Sequence, residues 1–470
     1  MTLTQTNYHS TNRHSAAEGA SGISKNPEAM LRGFLLHLFS KINIMNRRRF
    51  LKTTGLISAV GLTSTQLFAE TIPIAIGTKD IPEKRSIDPA IIKKITDRIK
   101  PISKEERTAR LEQARKLMAE NNIDAIFMEG GTSLEYFTGS HWGRSERLFG
   151  MLLPQKGEAV FISPKFEETR AKEQTGNAKL YCWEEHESPF ELIKQILKDT
   201  GLTTATIGLE ETTRYFVTEG FQKAMPTAKI VSATSITAGC RGIKTEHEIE
   251  LMQIANDMAM EVYKVAVKQL KEGMTENEFG KIITQLFAEF GVGGGALVLF
   301  GEASAHPHGL VKEVRLKQND IVLIDGGCSV EGYESDITRT TVFGKPTQKM
   351  NDVFNIVLKA QQDALKFAKP GVSFESVDAV ARKVISDAGY GPGFKYFTHR
   401  LGHGIGMDGH EWYYVVGGNK RLMEKGNMMS NEPGIYILGE FGIRIEDEML
   451  ITENGAKFLL PKQQSLEVMF

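Results

Sequence analysis

The feature that most restricts how this chain can fold is an internal repeat. Lys271-Glu-Gly-Met-Thr275 is echoed by Lys369-Pro-Gly-Val-Ser373, and each opens a helical stretch that stops at a glycine, Gly291 in one copy and Gly389 in the other. The glycine pairs Gly273/Gly371 and Gly291/Gly389 are both offset by 98 residues. A matched order of stop, cap, helix and stop marks a duplicated unit. In each copy two helices precede strands, which predicts two α+β halves about a pseudo-twofold axis with a cleft between their sheets. Thr245-x-x-Glu248 and Thr275-x-x-Glu278 have the form of capping boxes, and the helix opened by Thr245 is expected to reach about Lys271. This domain is placed at residues 242–461.

Ahead of it, strand-like runs at Ile123–Met128, Leu148–Leu153, Ala159–Ser163, Thr206–Leu209 and Ile230–Ala233 alternate with helical segments at 104–121, 166–174, 189–200 and 211–224. That alternation predicts an α/β domain over 104–238. Gly130-Gly131-Thr132 lacks the rest of a dinucleotide-binding glycine pattern. Residues 70–103 read as a linker or arm.

The first 69 residues read as an address. Asn46-Arg-Arg-Arg-Phe-Leu-Lys52 resembles the twin-arginine export signal, with Arg47 and Arg48 as the pair and Asn46 in place of the usual Ser or Thr. A weakly apolar run, Gly55 to Phe68, and the small residue Ala69 follow in the order of a cleavable signal. Met45 reads as the start of translation, 1–44 as an upstream extension and 45–69 as the signal peptide. The expected destination is periplasmic or otherwise extracytoplasmic, reached through the twin-arginine export machinery. No later apolar run is long enough to span a bilayer. At a net charge of -1 the chain offers no global attraction for nucleic acid. Cys182, Cys240 and Cys328 fall in no metal-type spacing and make no disulfide framework.

The chemistry is written in the strands of the duplicated domain. Ile321–Gly327 and Ser335–Phe343 read as a strand pair. If their turn centres on Val330-Glu331, Asp325 and Asp336 face each other, an arrangement of like charges that needs a cation or a shared proton. Asn427–Tyr436 and Gly442–Thr452 read as strands around a tip at Gly439, which sets Glu432 opposite Glu446. Two facing carboxylate pairs, one per half, suit two divalent ions. Leu401-Gly-His-Gly-Ile-Gly406 places His403 between glycines that allow close backbone approach. With His308, His399 and His410, four of the chain's 11 histidines lie in two short segments.

Taken together, residues 105–460 resemble the M24 "pita-bread" metallopeptidases, in the branch of Xaa-Pro aminopeptidases and prolidases. The resemblance implies an α/β N-terminal domain followed by an α+β, duplicated catalytic domain. It also implies metal ligands at Asp325, Asp336, His403, Glu432 and Glu446. His308 matches the family's substrate-side histidine, and His410 the histidine that meets the scissile carbonyl. His399 matches a histidine lining the proline pocket, and Arg444 an arginine supporting the site. Glu432 would carry the proton from water to the leaving nitrogen, and His410 would steady the oxyanion. An oxygen-rich site with one imidazole suits Mn2+, and admits Co2+, Zn2+ or Fe2+.

The expected activity is that of an exported Xaa-Pro aminopeptidase acting on peptides with proline at the second position. Xaa-Pro dipeptidase (prolidase) is the alternative. A dipeptidase must hold its substrate's C-terminal carboxylate, for which Arg144, Arg147 and Arg400 are candidates. Methionine aminopeptidases share the ligand set but not the N-terminal domain or the Arg-Ile-Glu446 motif. Creatinase-like hydrolases and non-catalytic binding proteins of this fold lack the complete ligand set. Such enzymes commonly pair, so a homodimer is expected.

Overall fold

The computed structural model describes residues 86–202 and 204–470. The twin-arginine segment, the extension before it and residues 70–85 of the stretch assigned as a linker lie outside these residues. The described end of that stretch carries more than a linker: Asp88 caps helix α1 (Pro89–Thr96), and its side chain accepts from the Ala90 N–H. Ile87, Ile95 and Ile102 are buried with the first core of the C-terminal domain, and Arg98 pairs with Glu250 and Asp257. Asp88-Pro89 and the helical spacing of Ile91, Ile92, Ile95 and Ile99 are the local signals of this helix, which the sequence reading passed over.

The N-terminal domain opens with α2 (Lys104–Glu120), closed by a reciprocal Ser103–Glu106 capping box. Its strands are β1 (Ala125–Glu129), β2 (Gly150–Pro154), β3 (Val160–Pro164), β4 (Lys179–Trp183), β5 (Thr206–Leu209) and β6 (Lys229–Ser232). They form one mixed sheet in the order β4-β3-β2-β1-β5-β6. The amphipathic strand β4, half-exposed at the sheet edge, is absent from the sequence reading. Along β1, Ala125 and Phe127 face one core and Ile126 and Met128 the other. Helices cover both faces, and this is why β1 reads as an unbroken apolar run. The last helix of the domain, α3 (Thr234–Arg241), runs past the expected boundary at 238.

The C-terminal domain has two helix pairs. Helices α4 (Glu246–Ala266) and α5 (Glu276–Glu289) pack in one core, α6 (Gln348–Phe367) and α7 (Phe374–Ile385) in the other. The Thr245–Glu248 and Thr275–Glu278 capping boxes both form; α4 stops short of Lys271 because a 3-10 turn, Val267–Gln269, follows it. The repeat is visible bond by bond. Gly273 N–H donates to Leu316 and Leu316 N–H to Met274; Gly371 N–H donates to Met423 and Met423 N–H to Val372. Gly273 and Gly371 have φ of 82° and 83°, a left-handed backbone that favours glycine.

Strands β7 (Gly294–Phe300), β8 (Ile321–Val330), β9 (Tyr333–Glu334) and β10 (Ile337–Val342) form the sheet of the first half. The second half contributes β11 (Gly402–Gly404), β12 (Glu411–Val415), β13 (Met428–Asn431), β14 (Gly434–Ile437), β15 (Phe441–Arg444), β16 (Asp447–Ile451) and β17 (Ala456–Phe458). Here β13 pairs with β16 and β14 with β15. The two ladders keep one register about Gly439, so Glu432 and Glu446 stand opposite each other in the gap between them, as the spacing predicts.

In the first half the expected register is off by two. Ser329 pairs with Glu334 and Asp325 with Thr338, not with Asp336. The turn centres on Glu331-Gly332, with φ of 51° and 83°. Two positive φ values in a two-residue loop match the twist of a hairpin, and glycine at the second place favours that turn. A shift of two leaves every side chain on the same face, so Asp325 and Asp336 still project to one side.

Candidate dinuclear metal site

Three of the four carboxylates sit where a strand leaves its ladder, and Asp325 sits within one, paired with Thr338 on one side and Leu297 on the other. Asp325 lies on β8 just before Gly326, whose φ is 153°. Asp336 directly precedes β10, and its N–H donates to Glu448 at 3.0 Å instead of to a strand. Glu432 and Glu446 fill the break between the two ladders of the second half. Ligand atoms of Asp325, Asp336 and Glu446 lie within 4.8 Å of one another, as do those of His403, Glu432 and Glu446, and those of Asp336, His403 and His410. Asp336, His403 and Glu446 each belong to two of these clusters, and Glu446 is the buried carboxylate that the two clusters without His410 share.

The five side chains line a cavity of about 190 Å³ together with Pro307, His308, His399, Arg400, His410 and Arg444. Asp325, Asp336 and Glu432 retain 20%, 22% and 14% side-chain exposure, and Glu446 and His403 are buried. Burial opposes ionisation of Asp325, yet the Arg444 guanidinium, 2.7 Å away, and the Thr338 hydroxyl hold its carboxyl below the usual range. Burial pushes Glu432 up to about 8. Burial and the neighbouring carboxylates push Asp336 and Glu446 well above the ordinary range.

Four observations show that these residues fit divalent cations. Among the described residues Arg444, through Asp325, is the one Arg or Lys bonded to any of the four carboxylates, so the cluster is left short of positive charge. Thr338 Oγ1 lies 2.7 Å from Asp325 and 2.6 Å from Glu446, but a hydroxyl has one proton and can donate to one of them. His403 Nδ1 faces the Gly404 carbonyl at 3.1 Å and therefore carries the proton. Its bare Nε2 then points at Glu432 and Asp336 oxygens 3.4 and 3.8 Å away, a repulsive arrangement unless a cation lies between. Burial and His410 keep this imidazole neutral, its pKa lowered to about 4. The unpartnered, buried Oε1 of Glu446 points the same way.

His308 and His410 are exposed on the cavity wall, and His410 stacks on His403 with ring centroids 3.6 Å apart. His399 also lines the cavity, but both its nitrogens are engaged. Nδ1 meets the Arg400 carbonyl at 2.8 Å and Nε2 the Tyr436 hydroxyl at 2.7 Å. It therefore offers its ring rather than a hydrogen bond. Arg444 bonds Asp325, Thr338, Tyr436 and the Pro307 carbonyl, tying the His308 loop to the carboxylates. Of the three candidate arginines, Arg400 lines the cavity. Arg144 is held by the Gly130 carbonyl and Glu129, and Arg147 by Glu185 and Glu146. The sequence reading missed Thr338 and Tyr436. The true turn centre would have revealed Thr338; no local signal marks Tyr436.

The model of metallopeptidase family M24 matches residues 250–453, and that of the Creatinase/Prolidase N-terminal domain residues 110–243. An Xaa-Pro dipeptidase of Pyrococcus furiosus is 35% identical over 360 residues, covering 76% of this chain and 99% of that protein. A crystal structure of dipeptidase PepE from Mycobacterium ulcerans superposes with a TM-score of 0.74 at 29% identity, covering 79% of this chain and 100% of the other. An X-Pro aminopeptidase from Thermotoga maritima superposes at 0.64 and 29% identity, covering 74% and 98%. The balance of these relatives favours the dipeptidase alternative over the aminopeptidase expected from sequence. The chain belongs to metallopeptidase family M24, with a creatinase/prolidase-type N-terminal domain ahead of a pita-bread catalytic domain.

Proposed function

We propose that this protein is an Xaa-Pro dipeptidase, cleaving the bond before proline in a dipeptide. The observation that carries the reading is the small cavity in which all five ligand-type side chains converge beside Arg400, a guanidinium with no carboxylate partner among the described residues. Asp325, Asp336, His403, Glu432 and Glu446 would hold two divalent ions, with Mn2+ the proposed metal for so oxygen-rich a set. Bound there, the ions would lower the pKa of a water enough to supply hydroxide near neutral pH.

The chain's own groups do the rest. Glu432, on the cavity wall, accepts the water's proton and returns it to the departing proline nitrogen. His410 donates to the scissile carbonyl oxygen. The amide before proline has no N–H, so selectivity comes from the shape of a pocket walled by the His399 ring and Pro307. His308 flanks the substrate from the opposite loop, and Arg400 pairs with the substrate's C-terminal carboxylate.

The test is hydrolysis of Ala-Pro, Ala-Pro-Ala and Ala-Ala-Ala by the purified protein, with Mn2+ or with chelator. Metal-dependent cleavage of Ala-Pro alone is the expected result. Cleavage of Ala-Pro-Ala would instead support the aminopeptidase reading, which the likeness to the Thermotoga maritima enzyme keeps in play. Export by the twin-arginine route is part of the proposal and rests on Asn46–Lys52 and the apolar run after it.

A further inference from the structure

His410 is the one group assigned to the reacting carbonyl that has no hydrogen bond among the described residues; its ring is fixed only by the stack on His403. It follows Gly409, beside which an added Cβ would meet nothing within 4 Å. The ladder beneath it is irregular, with a register shift between Gly402 and Gly404 where β11 pairs with β12. The local backbone therefore does little to hold the imidazole in place.

The segment on either side of it is held by Thr132 and Arg241 of the N-terminal domain and by Lys244 at the start of the catalytic one. Asp408 accepts from Thr132 Oγ1 at 2.7 Å and from the Arg241 guanidinium at 2.7 Å. Glu411 accepts from Lys244 Nζ at 2.8 Å, and its other oxygen lies against Arg241 in an ion contact outside hydrogen-bond geometry. Arg241 also donates to Ser133, Lys244 to the Arg241 carbonyl, and the Trp412 indole N–H to Glu211. Arg241, Lys244 and Glu411 are all buried. A Cβ on Gly406 would lie 1.9 Å from Glu411, so that glycine leaves room for the carboxylate. Two buried cations facing two anions cost less than an unpaired charge there, and breaking one side leaves the other uncompensated.

We propose that Arg241 and Lys244 act as a positioning clamp for His410: by gripping Asp408 and Glu411, the junction between the domains, with Arg241 at the end of the N-terminal one, sets where that imidazole meets the substrate carbonyl. This rests on the proposed role of His410. Through Arg241 and Thr132 it gives the N-terminal domain a part in turnover within its own chain, exerted by residues that never touch substrate. The Arg241 pairs with Asp408 and Glu411 run across the junction of the two domains.

The experiment is a double-mutant comparison on the metal-loaded, full-length protein, using whichever of Ala-Pro or Ala-Pro-Ala the parent cleaves. Glu411→Gln is expected to lower kcat by about 10- to 100-fold, the range a 1 Å misplacement produces, with KM changed less than about threefold. Thr132→Val, a gentler change made entirely within the N-terminal domain, is expected to lower kcat by about two- to fivefold. Placed on His410→Ala, each substitution should reduce kcat by less than about twofold further, because the group it positions is gone. Bound metal, measured in every variant, should be unchanged. Equal fold-losses with and without His410, or full activity in both clamp variants, would overturn the clamp while leaving the role of His410 intact. Full activity in His410→Ala alone would overturn both.

Discussion

Thr338 and Glu446 stand at equivalent positions in the two halves of the catalytic domain, and a 2.6 Å contact joins them. Asp325 follows Leu316 by nine residues and Glu432 follows Met423 by nine, where Leu316 and Met423 make the same backbone bonds. Opposite Asp325 the register sets Thr338; opposite Glu432 it sets Glu446. The duplication has thus put a hydroxyl where its copy has a carboxylate, and Asp336 enters from a strand end to supply the fourth acid.

Thr338→Val keeps the shape and removes the hydroxyl shared by Asp325 and Glu446. Loss of a group that orients ligands typically lowers metal affinity by about 10- to 100-fold. Metal titration by calorimetry should show that drop for at least one ion, and undiminished affinity would deny Thr338 any part in orienting the ligands.

Asp336→Asn and Glu432→Gln preserve volume while removing a charge each. Turnover is expected to fall by about 10²-fold or more in both, with circular dichroism unchanged. Retained activity in either variant would rule out the proposed metal chemistry.

The carboxylate cluster makes a pH prediction for the metal-free protein. Glu432 is raised to about 8 by burial, and burial and the neighbouring carboxylates raise Asp336 and Glu446 well above their ordinary range. A group whose folded pKa lies above its unfolded value binds more protons in the native state, so stability falls as pH rises through that window. The lowered His399 and His403 act oppositely, favouring the fold as pH climbs toward their unfolded value near 6.5. Between about pH 6.5 and 8 those histidines are neutral in both states and the carboxylates dominate. Chelated protein should therefore show a Tm that declines across this interval, and divalent metal should reverse the decline. A flat Tm without metal would contradict the clustering of uncompensated acids.

Arg400→Ala separates the dipeptidase from the aminopeptidase reading. If Arg400 pairs with the substrate carboxylate, KM for Ala-Pro should rise by about 10- to 100-fold, the worth of a charge-assisted hydrogen bond. Ala-Pro-NH2, which lacks that charge, should be hydrolysed equally by parent and variant. An equal loss on both substrates would assign Arg400 a different duty.

Arg47→Lys combined with Arg48→Lys should leave the precursor inside the cell, followed by fractionation and immunoblotting. Normal export of that variant would remove the twin-arginine assignment.

Much of this protein was written locally. Capping boxes at Thr245 and Thr275, and the 98-residue offset of paired glycines, are short-range signals that no distant contact had to supply. The same holds for the facing of Glu432 and Glu446, because a tight turn at Gly439 fixes everything in register with it. At Val330-Glu331-Gly332 the sequence reading centred the turn one residue too early, and the backbone φ values place it at Glu331-Gly332. Period-two geometry then preserved the face, so an error of two residues did not move Asp336 out of the site.

Tertiary structure decided the rest, because it concerns groups brought together from far along the chain. Nothing around Tyr436 announces that its hydroxyl joins His399 to Arg444, and nothing around Arg241 announces Asp408 and Glu411, more than 160 residues away. Among Arg144, Arg147 and Arg400 the sequence offered three equal charges; packing engaged two with partners in the N-terminal domain and left the third on the cavity wall. Residue type sets what a side chain can do, and local pattern sets which strand or helix carries it. Which charges are left unpaired, and so what they can bind, depends on the whole fold.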